Sequence, residues 1–184
     1  MKPLRLFSLE HSRAAYLADF VFYTGAVLAL TAALLMGPPR AQWLEMAGLT
    51  LAGLASWSII EYALHRFVLH GLQPFKGWHA AHHQRPIALI CTPTVFSASL
   101  LTLLVFLPAL LLGSVWRAGA VTLGVLAGYL AYTVTHHATH HWRGNSAWLL
   151  RRKLWHAQHH HRTTQPGFFG VTSSFWDGIF GSGR

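Results

Sequence analysis

Apolar residues in this chain gather in runs of about 20 positions, without the alternation of strands or the narrow stripes of soluble helices. A run of about 20 residues, as a helix, crosses the roughly 30 Å hydrocarbon core of a bilayer. Four such spans are predicted, at about Leu17–Met36, Trp43–Leu64, Pro93–Gly113 and Val115–Thr135. No charged residue lies between Arg85 and Arg117, so the third span stands out most clearly, with a kink expected at Pro108. Short turns at 37–42 and 113–117 close two helical hairpins. The first run exceeds a signal-peptide apolar core and no small-residue cleavage site follows it, so it reads as a span.

Composition agrees. The 184 residues are 53% hydrophobic and only 10% charged, against about 25% charged in an average soluble domain. The length allows one compact unit, and residues 1–184 are expected to form a single domain. Lys and Arg total 14 against 5 acidic residues, for a net charge of +9. This charge is segregated. Twelve of the cations (Lys2, Arg5, Arg13, Arg66, Lys76, Arg85, Arg143, Arg151, Arg152, Lys153, Arg162 and Arg184) flank the spans on one side, leaving Arg40 and Arg117 on the other. Such a bias marks the first side as cytoplasmic and explains the basic balance without nucleic acid. Cys91, the one cysteine, rules out an internal disulfide and a cysteine-rich zinc site.

All 14 histidines fall on that same side. His65, His70, His79, His82 and His83 follow the second span. His136, His137, His140, His141, His156, His159, His160 and His161 end or follow the fourth, and one hairpin separates the blocks. The fold class expected is therefore all-α, an integral membrane four-helix bundle with a cytoplasmic histidine-rich helical cap. Its metal-binding regions are expected at about 61–83 and 136–161. The spacings are HxxxxH at His65 and His70, HxxHH at His79 and again at His156, and HxxxHH at His136. Positions i, i+3 and i+4 share a helix face, so each HxxHH box presents three imidazoles together. His65 and His70 would diverge on an ideal helix, which calls for a helix end or an unwound turn there. Neutral imidazole is the commonest metal ligand, and the count exceeds what one tetrahedral ion needs, so two ions fit better. Ligand type alone leaves zinc, copper, iron and nickel open.

The remaining signals are weaker. Glu61, one helical turn before His65, either accepts an imidazole N–H or pairs with a nearby cation. Asp19 reads as an interfacial acid near a helix N-terminus. Gly25, Ala29 and Ala33, and Gly124 and Gly128, repeat at the four-residue spacing of close helix packing. Trp43, Trp116, Trp142, Trp148 and Trp155 read as interfacial anchors. His11 is expected at the surface, and His137 and His161 are extras outside the repeated spacings. A phosphate-binding glycine motif and a Ser-His-Asp context are both lacking.

The histidine boxes, the stretch Glu61–His70, and the tail from Gly167 to Gly181 resemble the fatty acid hydroxylase superfamily, also called the sterol desaturase family. The tail and the HRFxxH box are most similar to its fatty acid 2-hydroxylase branch. The resemblance covers about Trp57 to Gly181. It implies metal ligation by His65, His70, His79, His82, His83, His136, His140, His141, His156, His159 and His160, with Asp177 as an outer acid near the site. His137 stands where the family often has tyrosine. The resemblance also implies two iron ions, with zinc able to replace them on purification, and O2 as co-substrate. This chain carries no fused cytochrome b5 domain, so electrons are expected from a separate cytochrome b5-like or ferredoxin-like donor.

The expected function is that of an O2-dependent di-iron membrane oxygenase hydroxylating a lipid within the bilayer, on an acyl chain at the 2-position. Hydroxylation or desaturation of a sterol or carotenoid is the rival within the same chemistry. A histidine-rich metal-handling membrane protein is the rival of another class. The compact size and the lack of a C-terminal retrieval signal favour a bacterial inner membrane.

Overall fold

The computed structural model describes residues 10–162 and 165–184; Lys2 and Arg5, counted above for orientation, lie outside them. Among the described residues every regular element is helical, apart from one isolated bridge between Glu10 and Ile90. Four helical stretches are long and apolar enough to cross a membrane, and the protein is an integral membrane bundle. The first is α1 (Arg13–Met36), opened by Ser12, whose hydroxyl accepts the Ala15 N–H. The second is α2 (Trp43–Ala63), prolonged by a π-helical turn over Leu64–Leu69. A short helix, α3 (Phe75–Gln84), then lies in the cap.

The third span consists of α4 (Thr94–Leu101), a π-helical turn (Thr102–Phe106) and α5 (Leu107–Leu111). Pro108 has no N–H to donate one turn back. The irregularity expected at it takes the form of this widened turn, in which the Leu107 N–H reaches the Thr102 carbonyl. The fourth span, α6 (Val115–His141), opens at Ser114 and runs six residues past the predicted end. Neither glycine nor proline interrupts 135–141, and the chain leaves the helix only at Trp142, in extended conformation. Helices α7 (Ala147–His161) and α8 (Phe175–Phe180) complete the cap.

The bundle centres on α2 against α6, and small residues set their spacing. A Cβ on Gly124 would lie 2.0 Å from the Thr50 carbonyl oxygen, and one on Gly128 would lie 2.4 Å from the Trp57 ring. Gly53 on α2 abuts the Val121 carbonyl in return. The other small-residue stripe plays no such part: a Cβ on Gly25 would meet nothing within 4 Å, and Ala29 and Ala33 are exposed. Leu34, Met46 and Ala120 form the core at the far end of the bundle, with Trp116 packed against them and over Gly37. Trp116 is thus a packing residue, as is Trp155, whose ring meets Phe168 edge-on at 4.7 Å. Trp43, Trp142 and Trp148 are the exposed members of the expected anchor set. Outward-facing leucines such as Leu44, Leu111 and Leu112 are more than four-fifths exposed, which suits a lipid solvent.

Candidate metal centre

The histidines converge in two groups whose ligand nitrogens lie within 4.8 Å of one another. The first holds His65, His70, His79, His83 and His159; the second holds His82, His136, His140 and His156. Each HxxHH box is divided between them. On α3, His79 and His83 face the first group and His82 the second. On α7 the assignment is exchanged, with His159 in the first group and His156 in the second. His160 joins the edge of the second group, its Nε2 3.1 Å from that of His156. Its ring also stacks on His83 at 4.2 Å, bridging the two groups.

The HxxxxH box works because its backbone is π-helical. The His70 N–H bonds to the His65 carbonyl, five residues back, so the two side chains return to one face. Isolated π turns inside α-helices are frequent at functional sites. His136 and His140 need no such device, being one ordinary turn apart on α6. The extension of α6 beyond Thr135 is what carries them into the cap.

Opposing Nε2 atoms stand close. His65 to His79, His79 to His83, and His83 to His159 are each 3.0 Å apart, and His70 to His159 is 3.2 Å. In the second group His136 lies 3.1 Å from His82, and His140 2.8 Å from His156. The His65 Nδ1 donates to the Phe169 carbonyl at 2.6 Å and the His159 Nδ1 to the Gly167 carbonyl at 2.7 Å. For these two rings the bonds select the tautomer, leaving the Nε2 with a bare lone pair aimed inward. Several lone pairs directed at a common point repel unless a cation lies among them, so the donor set fits a metal ion at each group. Imidazole throughout suits iron, zinc, copper or nickel.

Electrostatics keep these rings ready to bind. Burial pushes His70 down to about 4, aided by His83 and Lys76. Burial, then His140 and His160, pushes His82 to about 2. Burial, then His83 and His140, takes His160 to about 3. His79, His156 and His159 are also pushed well down, by burial first and then by other histidines. The rings are therefore neutral at physiological pH, the form that coordinates metal.

The two acids reach the histidines through the loop 167–172. Among the described residues Glu61 hydrogen-bonds neither an imidazole nor a cation, although Arg152 is near enough to interact with it electrostatically. One of its oxygens accepts the N–H groups of Val171 and Thr172, at 2.7 and 2.9 Å, and the other accepts the Thr172 hydroxyl. Asp177, fully buried, accepts the N–H groups of Phe169 and Gly170 at 2.8 and 2.7 Å, and the Ser182 hydroxyl at 2.7 Å. Together they clamp the loop 167–172, whose carbonyls orient His65 and His159. Between those carbonyls Phe168 sits at φ 59°, a left-handed conformation that costs a non-glycine residue on the order of 1–3 kcal/mol. Trp155 and Arg162 pack on its ring and hold it there. The Gly167 and Phe169 carbonyls are functional groups that side-chain motifs do not reveal.

The remaining histidines lie elsewhere. His141, among the expected ligands, belongs to neither group; its ring stacks on His137 at 4.6 Å and is 6.4 Å from that of His140. The His137 Nδ1 meets the Tyr16 hydroxyl at 3.1 Å. His11 reaches the Cys91 carbonyl, and His161 is exposed. Asp19 is buried in the protein and accepts the Thr94 hydroxyl at 2.6 Å.

Beneath the histidines, toward the spans, lies a cavity of about 120 Å³. His79, His82 and His136 reach it, so it touches both groups. Tyr16, Asp19, Phe20, Tyr129 and Tyr132 form much of the remaining wall, and Tyr132 stacks on His136.

The sequence profile of the fatty acid hydroxylase family matches residues 50–182. A dihydroceramide fatty acyl 2-hydroxylase of Arabidopsis thaliana is 35% identical over 147 residues, covering 73% of this chain and 60% of that protein. A ceramide very long chain fatty acid hydroxylase of Schizosaccharomyces pombe is 31% identical over 145 residues, covering 72% and 41%. The human fatty acid 2-hydroxylase is 31% identical over 72% of this chain and 38% of its own. The matched part thus spans 38–60% of these relatives. A solved structure of full-length scs7p, in which only the hydroxylase domain is visible, superposes with a TM-score of 0.77 at 26% identity. It covers 91% of this chain and 66% of that one.

Proposed function

This chain belongs to the fatty acid hydroxylase family, and from that premise we propose that it is an O2-dependent di-iron membrane oxygenase that hydroxylates the acyl chain of a lipid. The observation that carries this reading is the cavity that touches both histidine groups from the membrane side. A C–H bond held there lies beside both candidate metal positions, and an acyl chain reaches it without leaving lipid.

His65, His70, His79, His83 and His159 would hold one iron. His82, His136, His140 and His156, with His160 at their edge, would hold the other. When bound, the iron pair supplies reductive activation of O2, placing one oxygen atom on carbon and the other in water. The histidines hold the site in its neutral-donor form. The loop 167–172, fixed by Glu61 and Asp177, holds His65 and His159 in orientation. Tyr132 and the apolar wall position the substrate and exclude water. Position 2 of the acyl chain is favoured because the relatives named above include fatty acyl and fatty acid 2-hydroxylases. The two electrons come from a separate cytochrome b5-like or ferredoxin-like donor. Its docking side is cytoplasmic, in keeping with the excess of Lys and Arg there.

The test is lipid analysis of cells expressing the chain with iron and a reductase. A 2-hydroxy acyl product that disappears in His82→Ala is expected. Recovery of no oxygenated lipid from folded, iron-loaded protein would overturn the reading.

A further inference from the structure

Asp19 belongs to neither histidine group, yet it is a buried acid within a membrane span. An ionisable residue in such a place is costly and marks function by default. Asp19 lines the inner cavity. Its partner Thr94, bonded at 2.6 Å, lines a second, more open groove of about 570 Å³ on the outer surface between α1 and α4. One turn deeper the same two helices are bonded again, Tyr23 to Ser97 at 2.6 Å. Two side-chain hydrogen bonds therefore form a seam separating the inner cavity from the outer groove.

The other walls are built differently. Toward the membrane interior the Tyr23, Tyr129 and Trp57 rings meet edge to face, with centroids 4.8 and 5.4 Å apart. Such packed aromatics do not part cheaply. A seam of hydroxyl contacts can open, because the Ser97 and Tyr23 hydroxyls have other acceptors within reach. Ser97 also reaches the Pro93 and Thr94 carbonyls, and Tyr23 the Thr94 carbonyl.

The groove itself is apolar and faces lipid. Phe22, Val95 and Leu103 line it and are more than half exposed, on spans whose surroundings are hydrocarbon. Its volume falls within the roughly 300–1,000 Å³ of ligand pockets. We propose that the α1–α4 groove is a binding site for the acyl chain of a lipid, and that the chain reaches the inner cavity sideways by parting the Asp19–Thr94 and Tyr23–Ser97 seam. The occupant is a lipid tail because the groove faces hydrocarbon and abuts, across the Asp19–Thr94 contact, the cavity beside the histidines. The proposal rests on the hydroxylase reading in taking an acyl lipid as the molecule delivered.

The experiment uses the full chain in phosphatidylcholine vesicles carrying an N-acyl lipid with a diazirine midway along its acyl chain. Photolabelled positions are read by mass spectrometry, with and without excess unlabelled lipid. Competable label on Phe22, Val95 and Leu103 is expected. Modifying Ser99→Cys with a bulky thiol reagent after folding should reduce that label about tenfold relative to the unmodified variant. The same treatment of Leu111→Cys, outside the groove, should leave it unchanged. Label scattered evenly over lipid-facing residues such as Leu44 and Leu51, or label indifferent to the Ser99→Cys modification, overturns the proposal. A contact of the groove with a second copy would appear instead as protein–protein crosslinks and also overturns it. Groove labelling without any hydroxylated product would keep the port and remove the hydroxylase reading. Product formation with scattered label would do the reverse.

Discussion

The Nδ1 of His65 donates to the carbonyl oxygen of Phe169, 104 residues downstream and 2.6 Å away. The bond makes the C-terminal loop part of the candidate metal site although it supplies no ligand. Its geometry depends on carboxylates further out, because Glu61 and Asp177 between them hold the N–H groups of four successive residues, Phe169 to Thr172.

Removing the Glu61 carboxylate should therefore loosen metal without touching a ligand. Glu61→Ala is expected to lower metal affinity about 10- to 100-fold, the usual effect of losing an outer-shell partner. In Glu61→Gln an amide oxygen can still accept the Val171 and Thr172 N–H groups, so that variant should retain most of the affinity. Competition with a chromogenic chelator measures both. Equal losses in the two variants would assign the effect to charge instead.

The two ions should leave separately. At the first group the Nδ1 atoms of His65 and His159 are bonded to carbonyls. At the second, the Nδ1 atoms of His82 and His156 are buried without a protein acceptor. Unsupported imidazoles are weaker and less oriented donors, so the second ion should dissociate first, with affinity lower by about tenfold. Chelator titration should be biphasic, and His136→Ala should abolish the weaker phase. A single concerted loss of both ions would contradict this.

Acid should destabilise the metal-free protein well before carboxylates titrate. His70 and His160 are pushed to about 4 and about 3, below their ordinary 6.5. As pH falls below 6.5 the unfolded chain takes up protons that the folded chain refuses, so stability declines with falling pH. The contribution is intact above 6.5 and is lost progressively as the pH falls toward those folded values. The Tm of chelator-treated protein should fall from pH 7 to pH 5, and added metal should shift the fall to lower pH. A flat or rising Tm over that interval would contradict the assignment of buried neutral rings.

The α2–α6 contact should tolerate no side chain at Gly124. A Cβ there would collide with backbone atoms of Thr50 and Leu54, and overpacking of this kind costs about 1–3 kcal/mol. Gly124→Ala should lower Tm measurably, whereas Gly25→Ala, whose Cβ meets nothing, should not. Equal effects would mean that the helices do not pack through this seam.

The four spans were legible because hydrocarbon demands long apolar runs, and all four are present. Their ends were less so. Residues 136–141 are too polar to count toward an apolar span, yet nothing in them breaks a helix, and α6 continues through them. HxxHH reads as three ligands on one face, and at about 100° per residue that face spans a wide arc. His79 and His83 lie on one side of the arc and His82 on the other, so each box is divided between the two groups. The HxxxxH spacing signalled unwinding at His65 and His70, and a π turn meets that need. Glu61 was marked by its place one turn before His65, but its partners lie 110 and 111 residues downstream, in a loop without periodicity. Spacing along the chain could not join them. His141 shares the HxxxHH box but points toward His137 and Tyr16, a direction set by the rotation of α6.

The most direct test of the dimetal account is elemental analysis of gently purified protein in detergent. About two iron ions per chain are expected, falling to about one in His82→Ala or His159→Ala, which each break one group, and staying at about two in His141→Ala. One ion or none in folded wild-type protein would contradict it.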